Sequence, residues 1–472
     1  MATSKRVLVI GWDGLRPDYV TPELTPNLHR LIAEGVHFAG ATAVFPSETR
    51  PNNSSIGTGC FPGRHGITAN ALFVPLGDAF HPIDTGIPDH LDAIREHHGR
   101  ILACDTLGDV LANSGYSLAT VGSGSPGQTI LQNPHGAGWV INRAVRYPAS
   151  LDTAIASACG PWPARGTPSQ VVDDYLLDVA FDYVLPELDP TVMILWSCEP
   201  DVQLHGSGLG SPEVAAALRA NDARLGRTLE RLARDKCAEQ TTVIFASDHG
   251  HTSIRGSIDL FASLIEAGLA DAQLPDEVVI AGAGVYLFGS GLDRLRDIAM
   301  WLTHQDWCGP VFVRDDCWTN GITGTRPTSV LWDGAPGQWT PEIQFSANWD
   351  DAPNAAGMPG YSYRIGKPSS RLMSYHGSLS PRDMGNVMAM SGAGVRAGVT
   401  ISAPASTVDI APTILELIGI APPSWMQGRP LREALDGGPT EPPVTREMLM
   451  EGAWGRLVRR RVKGTAYVGV ER

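Results

Sequence analysis

Residues 7–14 read Val-Leu-Val-Ile-Gly-Trp-Asp-Gly, a run of apolar residues that ends in an aspartate and a glycine. Short apolar runs of this kind predict strands that are buried on both faces of a sheet, here over residues 6–11. The same description fits five further runs, at residues 36–45, 117–122, 191–197, 241–246 and 386–390. Segments with helical periodicity separate several of these runs. Such alternation predicts an α/β fold with a mostly parallel central sheet flanked by helices.

Three helices are predicted with the clearest boundaries. They cover residues 170–188, 213–234 and 409–418. In residues 213–234 the apolar side chains mostly recur three, four or seven positions apart, which places them on one helix face. Gly419 follows the third segment and is expected to end that helix.

The composition narrows the class of protein. The chain has 472 residues, with 36 Lys and Arg against 50 Asp and Glu, a formal net charge of −14. A nucleic acid polymer is therefore not expected as a partner, since its binding depends on a basic face. No apolar run approaches the ~18 residues that span a bilayer, so we expect no membrane association. The seven scattered cysteines and the absence of a signal-like start favour a cytoplasmic protein.

The chain is expected to form a catalytic core with two additions. We assign residues 1–264 and 371–435 to the core, residues 265–370 to an inserted cap, and residues 436–472 to a C-terminal linker and extension. The cap segment is rich in Gly, Pro and Asp and holds six of the twelve tryptophans. These aromatics are expected to form the core of the cap, with stacking on a substrate as the alternative. The basic run 459–463 is expected to be a solvated strand or sheet edge, with an interface as the alternative.

Six side chains with metal-binding chemistry lie near the ends of predicted strands. In an open α/β sheet, ligands bind outside the carboxyl ends of the strands. Asp201 and His205 are four residues apart, a spacing that puts both on one side of a helical turn. The complete set is Asp13, Asp201, His205, Asp248, His249 and His376.

Three aspartates and three histidines form a donor set of oxygen and nitrogen without thiolate. This mixture suits zinc or manganese. Six ligands divide into two sets of three, which leaves coordination positions open for substrate and water. Two metals about 4 Å apart would hold the attacking and leaving oxygens of an in-line phosphoryl displacement.

A candidate nucleophile lies in the segment Phe45-Pro-Ser-Glu-Thr49-Arg-Pro51-Asn. Pro51 is predicted to be the first residue of a helix. Thr49 would then lie at the helix N-terminus, where free N–H groups and the helix dipole stabilise an anion. The alternative is that Thr49 serves only as the N-cap of that helix.

Taken in chain order, these segments resemble the alkaline phosphatase superfamily, and in particular its nucleotide pyrophosphatase/phosphodiesterase branch. The resemblance covers about residues 5–260 and 370–430. The matching motifs are Asp13, Phe45-Pro-Ser-Glu-Thr49-Arg-Pro-Asn, Thr58-Gly-Cys-Phe-Pro-Gly-Arg-His65-Gly-Ile-Thr-Ala-Asn70, Asp201-x3-His205, Ser247-Asp-His-Gly and His376-Gly.

The resemblance implies an alkaline-phosphatase-like core that holds two zinc ions per chain, with manganese as the alternative metal. One ion would be bound by Asp201, His205 and His376. The other would be bound by Asp13, Asp248 and His249, with Thr49 as a ligand and as the nucleophile that becomes phosphothreonine. Asn70 would hydrogen-bond a phosphate oxygen. The expected activity is hydrolysis of phosphodiester or nucleotide pyrophosphate bonds in a small substrate, and a homodimer is left open.

Two features depart from this pattern. Arg50 stands where the diesterase branch usually carries an aromatic residue, and its guanidinium is expected to bind a second phosphate or a carboxylate of the substrate. Cys60-Phe-Pro-Gly63-Arg imitates the sulfatase motif, but Gly63 replaces its serine and Cys60 falls about three helical turns after Thr49. His251 is left out of the ligand set.

Other activities stay open as alternatives. Arg50 leaves room for a phosphomonoesterase or a phosphonoacetate-type hydrolase of the same superfamily. The latter would need lysines at the site, for which only Lys367 is placed suitably. An alternative of another class is a non-catalytic metal-binding scaffold, which would not need both a ligand set and a nucleophile.

Overall fold

The computed structural model describes residues 6–471 except 236, 290, 320, 335 and 338. Within these residues the largest sheet has nine strands, in the spatial order Val399–Ile401, Val36–Phe38, Met388–Gly392, Thr241–Ala246, Arg6–Trp12, Val192–Ser197, Leu118–Gly122, Trp139–Asn142 and Arg146–Tyr147. In this sheet, only Met388–Gly392 and Arg146–Tyr147 run antiparallel to the other seven strands. The predicted mostly parallel sheet is confirmed.

The side chains of the central strand Arg6–Trp12 alternate between two cores. Val7 and Val9 pack with the helices Thr49–Thr58, Leu107–Asn113 and Ile410–Leu417. Leu8 and Ile10 pack on the opposite face, with the helices Pro26–Glu34, Leu151–Cys159, Ser169–Val179 and Pro212–Arg234. Because neighbouring side chains of a strand point to opposite faces, a continuous apolar run is buried on both sides.

The three predicted helices are present with small shifts at their ends. They are Pro212–Arg234, Ile410–Leu417 and Ser169–Val179, which continues as a π-helical segment over Ala180–Leu188. Further α-helices, beyond those already named, are Pro62–His65, Pro88–His98, Pro126–Gln132, Asp201–Ser207, Leu260–Glu266, Leu292–Thr303, Ser329–Trp332 and Pro381–Met384.

The predicted strand 36–45 is wrong in its second half. The chain forms the short strands Val36–Phe38 and Ala41–Thr42 and is then irregular. The side chain of Asn52 takes the place of a neighbouring strand there: its Oδ1 accepts the N–H of Val44 at 2.8 Å, and its Nδ2 donates to the Val44 carbonyl at 3.3 Å. A helix side chain therefore hydrogen-bonds the N–H and carbonyl of Val44, which a neighbouring strand would otherwise pair with.

The segment predicted as a cap contains a sheet of its own. Its strands are Val278–Ala281, Gly284–Leu287, Ile343–Ala347, Cys308–Val313 and Thr325–Pro327. A second sheet pairs Trp349–Pro353 and Pro359–Ile365 with Thr252–Ile258 and Ser374–Tyr375. Strands of the predicted cap thus pair directly with strands that flank it in the sequence.

The cap tryptophans pack in three different places. Three of them, Trp301, Trp307 and Trp318, lie against the apolar cluster of the cap. Trp332 and Trp349 instead pack with Phe45, just before Thr49. Trp339 belongs to a cluster around the hairpin Ala71–Leu76 and Ala79–Asp84. Half of the set therefore links the cap segment to the catalytic core.

The C-terminal segment forms a three-stranded sheet of Thr445–Gly452, Gly455–Val462 and Thr465–Glu471. Its basic run lies on the central strand, where Arg459, Arg460 and Arg461 contact Glu447, Glu471 and Asp333, respectively. Among the described residues, none of the helices combines the length and apolar character needed to cross a membrane.

Candidate active site

Four chain segments bring the predicted ligands together. Asp13 follows the strand Arg6–Trp12, and Asp248 and His249 follow Thr241–Ala246, the strand beside it. Asp201 is the first residue of the helix Asp201–Ser207, after the strand on the other side of Arg6–Trp12. His376 follows the short strand Ser374–Tyr375. Parallel strands end at one edge of a sheet, so residues far apart in sequence meet there.

His249 lies at the centre of the first group. Its Nε2 is 3.3 Å from Oδ1 of Asp13 and 3.6 Å from Oδ2 of Asp248. The hydroxyl oxygen of Thr49 is 3.2 Å from the same nitrogen. These three donor residues and Thr49 are buried.

Asp201 lies at the centre of the second group. Its Oδ1 is 3.4 Å from Nε2 of His205 and 3.6 Å from Nε2 of His376. The two groups adjoin each other, because the imidazoles of His249 and His376 stack with their centroids 3.7 Å apart. All six predicted ligands and Thr49 therefore lie in one cluster.

The second nitrogen of each predicted ligand histidine is held by a backbone carbonyl. Nδ1 of His205 donates to the Ser374 carbonyl at 2.9 Å, and Nδ1 of His249 to the Gly250 carbonyl at 3.0 Å. Nδ1 of His376 likewise donates to the carbonyl of Ser47 at 2.9 Å. With a proton on Nδ1, each ring turns its Nε2 toward the cluster, which is the orientation found in metal-binding histidines.

The charged groups of the cluster shift one another's pKa values, and a bound cation would relieve the repulsion among the carboxylates. Burial and the charge of Asp201 raise the pKa of Asp13, and burial and the charge of Asp13 raise the pKa of Asp248. Burial alone would lower the pKa of His249, but the carboxylates of Asp248 and Asp13 raise it to about 10. Although burial raises the pKa of Asp201, the imidazoles of His205 and His251 bring it well below its usual range.

The donor set fits the metal ions that the resemblance implies. Oδ1 of Asp13 is buried and accepts no hydrogen bond from any residue that the structure describes. Three desolvated carboxylates this close together are unfavourable unless a positive charge compensates them. Two groups of ligand atoms each lie within 4.8 Å of one another: Asp13, Asp201 and His249 in one, and Asp201, His205, His251 and His376 in the other.

The helix that carries Thr49 begins two residues earlier than predicted. Thr49 is its first residue and Pro51 its third, while Glu48 occupies the N-cap position. Proline is tolerated there because the first N–H groups of a helix have no partner within it. The Thr49 hydroxyl does not cap the helix and is directed to His249.

Asn70 and Arg50 are joined through the backbone. Oδ1 of Asn70 accepts the backbone N–H of Arg50 at 2.9 Å, so the amide group of Asn70 lies beside the nucleophile. The guanidinium of Arg50 is 3.1 Å from the carboxylate of Asp84 at the end of the hairpin. The charge of this side chain is thus already partnered by a carboxylate.

Several residues around the ligands were not predicted. Gln128 donates from Nε2 to Oδ2 of Asp13 at 2.8 Å, and Asn53 donates to Oδ2 of Asp248 at 3.2 Å. Glu48 is buried, which raises its pKa, and its carboxylate accepts the backbone N–H of Asn70. The position of Asn53, one helical turn after Thr49, is a signal that could have identified it. Gln128 lies in a different segment and carries no such signal.

His251 is a further unpredicted member of the cluster. It is fully buried, and its Nε2 is 2.7 Å from Oδ1 of Asp201. Its sequence position, two residues after His249, does not distinguish a buried side chain from an exposed loop residue. The sulfatase-like Cys60, by contrast, lies beyond the far end of the helix Thr49–Thr58 and contacts the Trp425 carbonyl.

Comparison with known proteins places this site in a family. Residues 7–296 match the family model of type I phosphodiesterases/nucleotide pyrophosphatases. Mouse ectonucleotide pyrophosphatase/phosphodiesterase family member 3 is 25% identical over 261 residues, which cover 52% of this chain and 24% of that protein. Human bis(5'-adenosyl)-triphosphatase ENPP4 is 25% identical over 263 residues, 52% of this chain and 48% of that protein. The chain spans between about a quarter and a half of these relatives.

Solved structures show the same fold. Human ectonucleotide pyrophosphatase/phosphodiesterase 5 superposes with a TM-score of 0.63 and 19% identity, covering 89% of this chain and 96% of that one. The murine protein, solved as an inactive threonine-to-alanine variant in complex with AMP, gives a TM-score of 0.64 over the same shares, also at 19% identity. The alkaline-phosphatase-like α/β architecture is therefore confirmed. Because the family model covers more than half of the chain, this protein belongs to the type I phosphodiesterase/nucleotide pyrophosphatase family.

Proposed function

We propose that this protein is a two-zinc phosphoesterase that hydrolyses phosphodiester or nucleotide pyrophosphate bonds through a phosphothreonine on Thr49. The observation that carries the proposal is the position of the Thr49 hydroxyl. It lies at the first residue of a helix and 3.2 Å from Nε2 of His249, within a cluster of six further ligand residues. The relatives support the substrate class, since one is named a bis(5'-adenosyl)-triphosphatase and another binds AMP.

The two groups of ligands would hold one metal ion each. Asp201, His205 and His376 form the first set, and Asp13, Asp248 and His249 form the second. Zinc, or manganese as the alternative, would supply Lewis acidity toward the phosphoryl group and its leaving oxygen.

The residues of the chain then position and stabilise the reacting group. The Thr49 oxygen forms a bond to phosphorus as the ester oxygen leaves, and water later cleaves the phosphothreonine. The free N–H groups of the first turn favour the negative charge of the phosphoryl oxygens. The amide nitrogen of Asn70 is available to donate to one of these oxygens, because Oδ1 is engaged by the N–H of Arg50.

Two observations favour a phosphodiesterase over a phosphomonoesterase or a phosphonoacetate-type hydrolase. The Arg50 guanidinium, which would bind a second charge of a monoester or carboxylate substrate, is paired with Asp84. Lys367, the candidate for holding a phosphonoacetate carboxylate, is exposed.

The seven free cysteines, all within the described part of the chain, support a cytoplasmic location as part of the proposal.

The substrate class is tested by comparing kcat/KM for bis-p-nitrophenyl phosphate, p-nitrophenyl phosphate and phosphonoacetate. We expect the diester to be preferred. A large preference for the monoester or for phosphonoacetate would replace the diesterase assignment by one of those activities.

The nucleophile is tested by Thr49→Ala. We expect kcat to fall by at least about 10³-fold, because no other side chain replaces the attacking oxygen. Metal content, measured by elemental analysis, should stay near that of the wild type, since six ligands remain. Turnover of Thr49→Ala within a fewfold of the wild type would eliminate Thr49 as the nucleophile. A metal-loaded wild-type protein without any phosphoesterase activity would favour the scaffold alternative.

A further inference from the structure

One face of the hairpin Ala71–Leu76 and Ala79–Asp84 leads from the proposed active site to the cap. Residues that pair directly across two antiparallel strands share a face of the sheet. Three such pairs share this face: Ala71 with Asp84, Phe73 with Pro82, and Pro75 with Phe80. The first pair lies at the proposed active site, because it directly follows Asn70 and contacts the guanidinium of Arg50. The other two pairs place two phenylalanines farther along the same face.

The first of these phenylalanines lies at a distance that suits a group attached to the phosphate. A strand rises about 3.4 Å per residue, so Phe73 is about 10 Å along the strand from Asn70. Asn70 is the residue proposed to hydrogen-bond a phosphoryl oxygen. A nucleoside spans such a distance, whereas a methyl group does not.

The cap provides a second wall that also begins at the proposed active site. Gly282 lies in the turn before the cap strand Gly284–Leu287, and a Cβ placed on it would be 3.6 Å from Oε1 of Glu48. Glu48 directly precedes Thr49 in the sequence. The cap strand and the hairpin therefore both start next to the proposed nucleophile.

Aromatic side chains of the two walls meet beside a cavity. The ring centroids of Phe73 and Tyr286 are 5.4 Å apart, and those of Phe80 and Phe288 are 4.4 Å apart. The cavity that these four residues line has a volume of about 750 Å³. That volume is typical of sites that bind small molecules. An aromatic ring of a ligand would find stacking surfaces there.

Two polar atoms in the wall of the cavity have no partner. Nε1 of Trp339 and Oγ1 of Thr340 are buried and make no hydrogen bond with any residue that the structure describes. These side chains are only 2% and 1% exposed, respectively. Because buried polar atoms are normally hydrogen-bonded, the two atoms favour a ligand that carries polar atoms at the edge of its ring.

The charged residues of the cavity disfavour a second phosphate. Of the described residues that line it, Arg314 alone is cationic, and its Nη1 is 2.5 Å from a carboxylate oxygen of Glu342. Asp276 adds a further negative charge. Like charges in contact are unfavourable, so an uncharged ring suits these groups better than an anion does.

The position next to the proposed nucleophile does not offer a stacking surface of this kind. Nη2 of Arg50 is 3.1 Å from the Asp84 carboxylate, and a Cβ placed on Gly86 would lie 2.4 Å from the same nitrogen. A flat apolar group beside Thr49 would have to displace this ion pair. The aromatic surface of the hairpin face lies instead at its far end, against the cap.

We propose that the cavity between the hairpin and the cap binds the nucleobase of a nucleotide ester, stacked on Phe73, Phe80 and Phe288. The inference rests on the proposed phosphoesterase function and specifies part of its substrate. The phosphate would lie at Thr49 and Asn70. The sugar would lie along the hairpin face between Asn70 and Phe73.

The inference is tested with two esters that both release p-nitrophenol, thymidine 5'-(p-nitrophenyl phosphate) and methyl p-nitrophenyl phosphate. The ratio of their kcat/KM values reports on the group that stays on the phosphate, and the methyl ester alone reports on the amount of active enzyme. We expect the wild type to prefer the thymidine ester. Phe80→Ala should lower the ratio at least about fivefold, the smaller effect of losing one stacking surface.

The possible outcomes separate this inference from the proposed function. A smaller decrease in Phe80→Ala, or a wild type that hydrolyses both esters without preference, overturns the inference and leaves the phosphoesterase proposal intact. Failure of the wild type to hydrolyse either ester overturns the phosphoesterase proposal itself.

Two further variants serve as controls. Phe80→Tyr keeps the ring, so its ratio should match that of the wild type, and a ratio as low as that of Phe80→Ala would also overturn the inference. Tyr116→Ala removes an aromatic side chain of similar exposure, 41% against 45% for Phe80. Tyr116 precedes the amino end of the strand Leu118–Gly122, at the opposite edge of the sheet from the proposed active site, so its ratio should not change.

Discussion

Asn70 is held in place by hydrogen bonds from several directions. Its backbone N–H donates to the Glu48 carboxylate, and its carbonyl accepts the Thr85 hydroxyl at 2.8 Å. Its Oδ1 accepts the N–H of Arg50 at 2.9 Å. This fixed orientation leaves Nδ2 as the atom that can donate to a phosphoryl oxygen, and a donor fixed in advance stabilises charge that develops during the reaction.

Replacing Asn70 by Ala should lower kcat by about 100-fold through loss of this donor. Asn70→Asp keeps an acceptor for the Arg50 N–H but lacks the donor, so it should be similarly impaired. Steady-state kinetics together with metal analysis checks this, since neither variant should lose zinc. A rate for either variant within about threefold of the wild type would contradict the role of Nδ2.

His65 shows how a single buried side chain couples stability to pH. Its Nδ1 accepts the N–H of Ile67 at 3.2 Å, and its Nε2 lies 3.1 Å from the Ser55 hydroxyl. It therefore joins the helix Thr49–Thr58 to the chain that follows the helix Pro62–His65. Burial lowers the pKa of His65 to about 3. The unfolded chain binds a proton at about pH 6.5 that the folded protein excludes.

The sign of the pH effect follows from this depressed pKa. The contribution of neutral His65 to the free energy of unfolding is fully present above pH 6.5. It is lost as the pH falls toward 3, because the unfolded state then binds more protons than the folded state. Between pH 7 and pH 5 this single group should remove about 2 kcal/mol from the free energy of unfolding. His65→Gln should remove that share of the pH dependence in urea denaturation at both pH values. His97→Gln serves as an exposed control, and parallel curves for wild type and His65→Gln would refute the coupling.

At the scale of elements, close helix packing determines the position of Thr49 and of the residues proposed as metal ligands. The helices Thr49–Thr58 and Pro126–Gln132 approach at Gly57, where a Cβ would lie 2.9 Å from the Gln132 carbonyl oxygen. The second helix also contacts the chain after the hairpin, since Gly127 donates its N–H to the Gly86 carbonyl at 3.0 Å. These contacts place Gln128 on Asp13 and Thr49 beside His249.

Gly127→Ala should disturb this packing. The added Cβ would lie 2.0 Å from the carbonyl oxygen of Thr85, so the helix or the loop must move. We expect a loss of about 2–3 kcal/mol in the free energy of unfolding, measured in urea, as for other overpacked positions. Activity should also fall, because Gln128 moves with the helix. The control is Gly291→Ala, where a Cβ meets nothing within 4 Å. Equal stability of the two variants would show that the contact is easily relieved.

At the scale of the whole molecule, the C-terminal sheet is anchored to the core by a buried polar network. The hydroxyl of Tyr467 donates to the Asp409 carboxylate at 2.9 Å and accepts from Nε of Arg429 at 3.0 Å. The apolar face of this sheet, including Leu457, packs with Phe45 and the cap tryptophans. The chain that leads into Thr49 is therefore covered by segments more than 250 residues away in sequence.

Tyr467→Phe should weaken this anchor. Removal of the hydroxyl leaves Nε of the buried Arg429 without this partner, which should lower the free energy of unfolding by about 1–3 kcal/mol. Activity at low temperature should change little, since Tyr467 lies outside the proposed active site. Urea denaturation checks the effect, with Tyr116→Phe at an exposed position as the control. Stability equal to that of the control would mean that the network contributes nothing to docking.

Local sequence signals were sufficient for the sheet and for most of the proposed ligands. The central strand is apolar from Val7 to Trp12, and the aspartates that follow it and its two neighbours within a few residues lie at a shared edge because parallel strands end together. The spacing of Asp201 and His205 follows from the helical turn alone. These inferences needed only the periodicity of the backbone and the motif order, which are written in consecutive residues.

Other features depended on contacts between distant segments. Asn52 replaces a strand partner for Val44, Asp84 neutralises Arg50, and the cap tryptophans divide among three clusters. The sequence by itself determined the α/β sheet, the helix that carries Thr49, and the six residues proposed as ligands, because these follow from local periodicity and the order of motifs along the chain. Only the tertiary structure turned His251 toward Asp201, because the orientation of a buried imidazole is set by Ser374 and Gly14, which are remote from it in sequence.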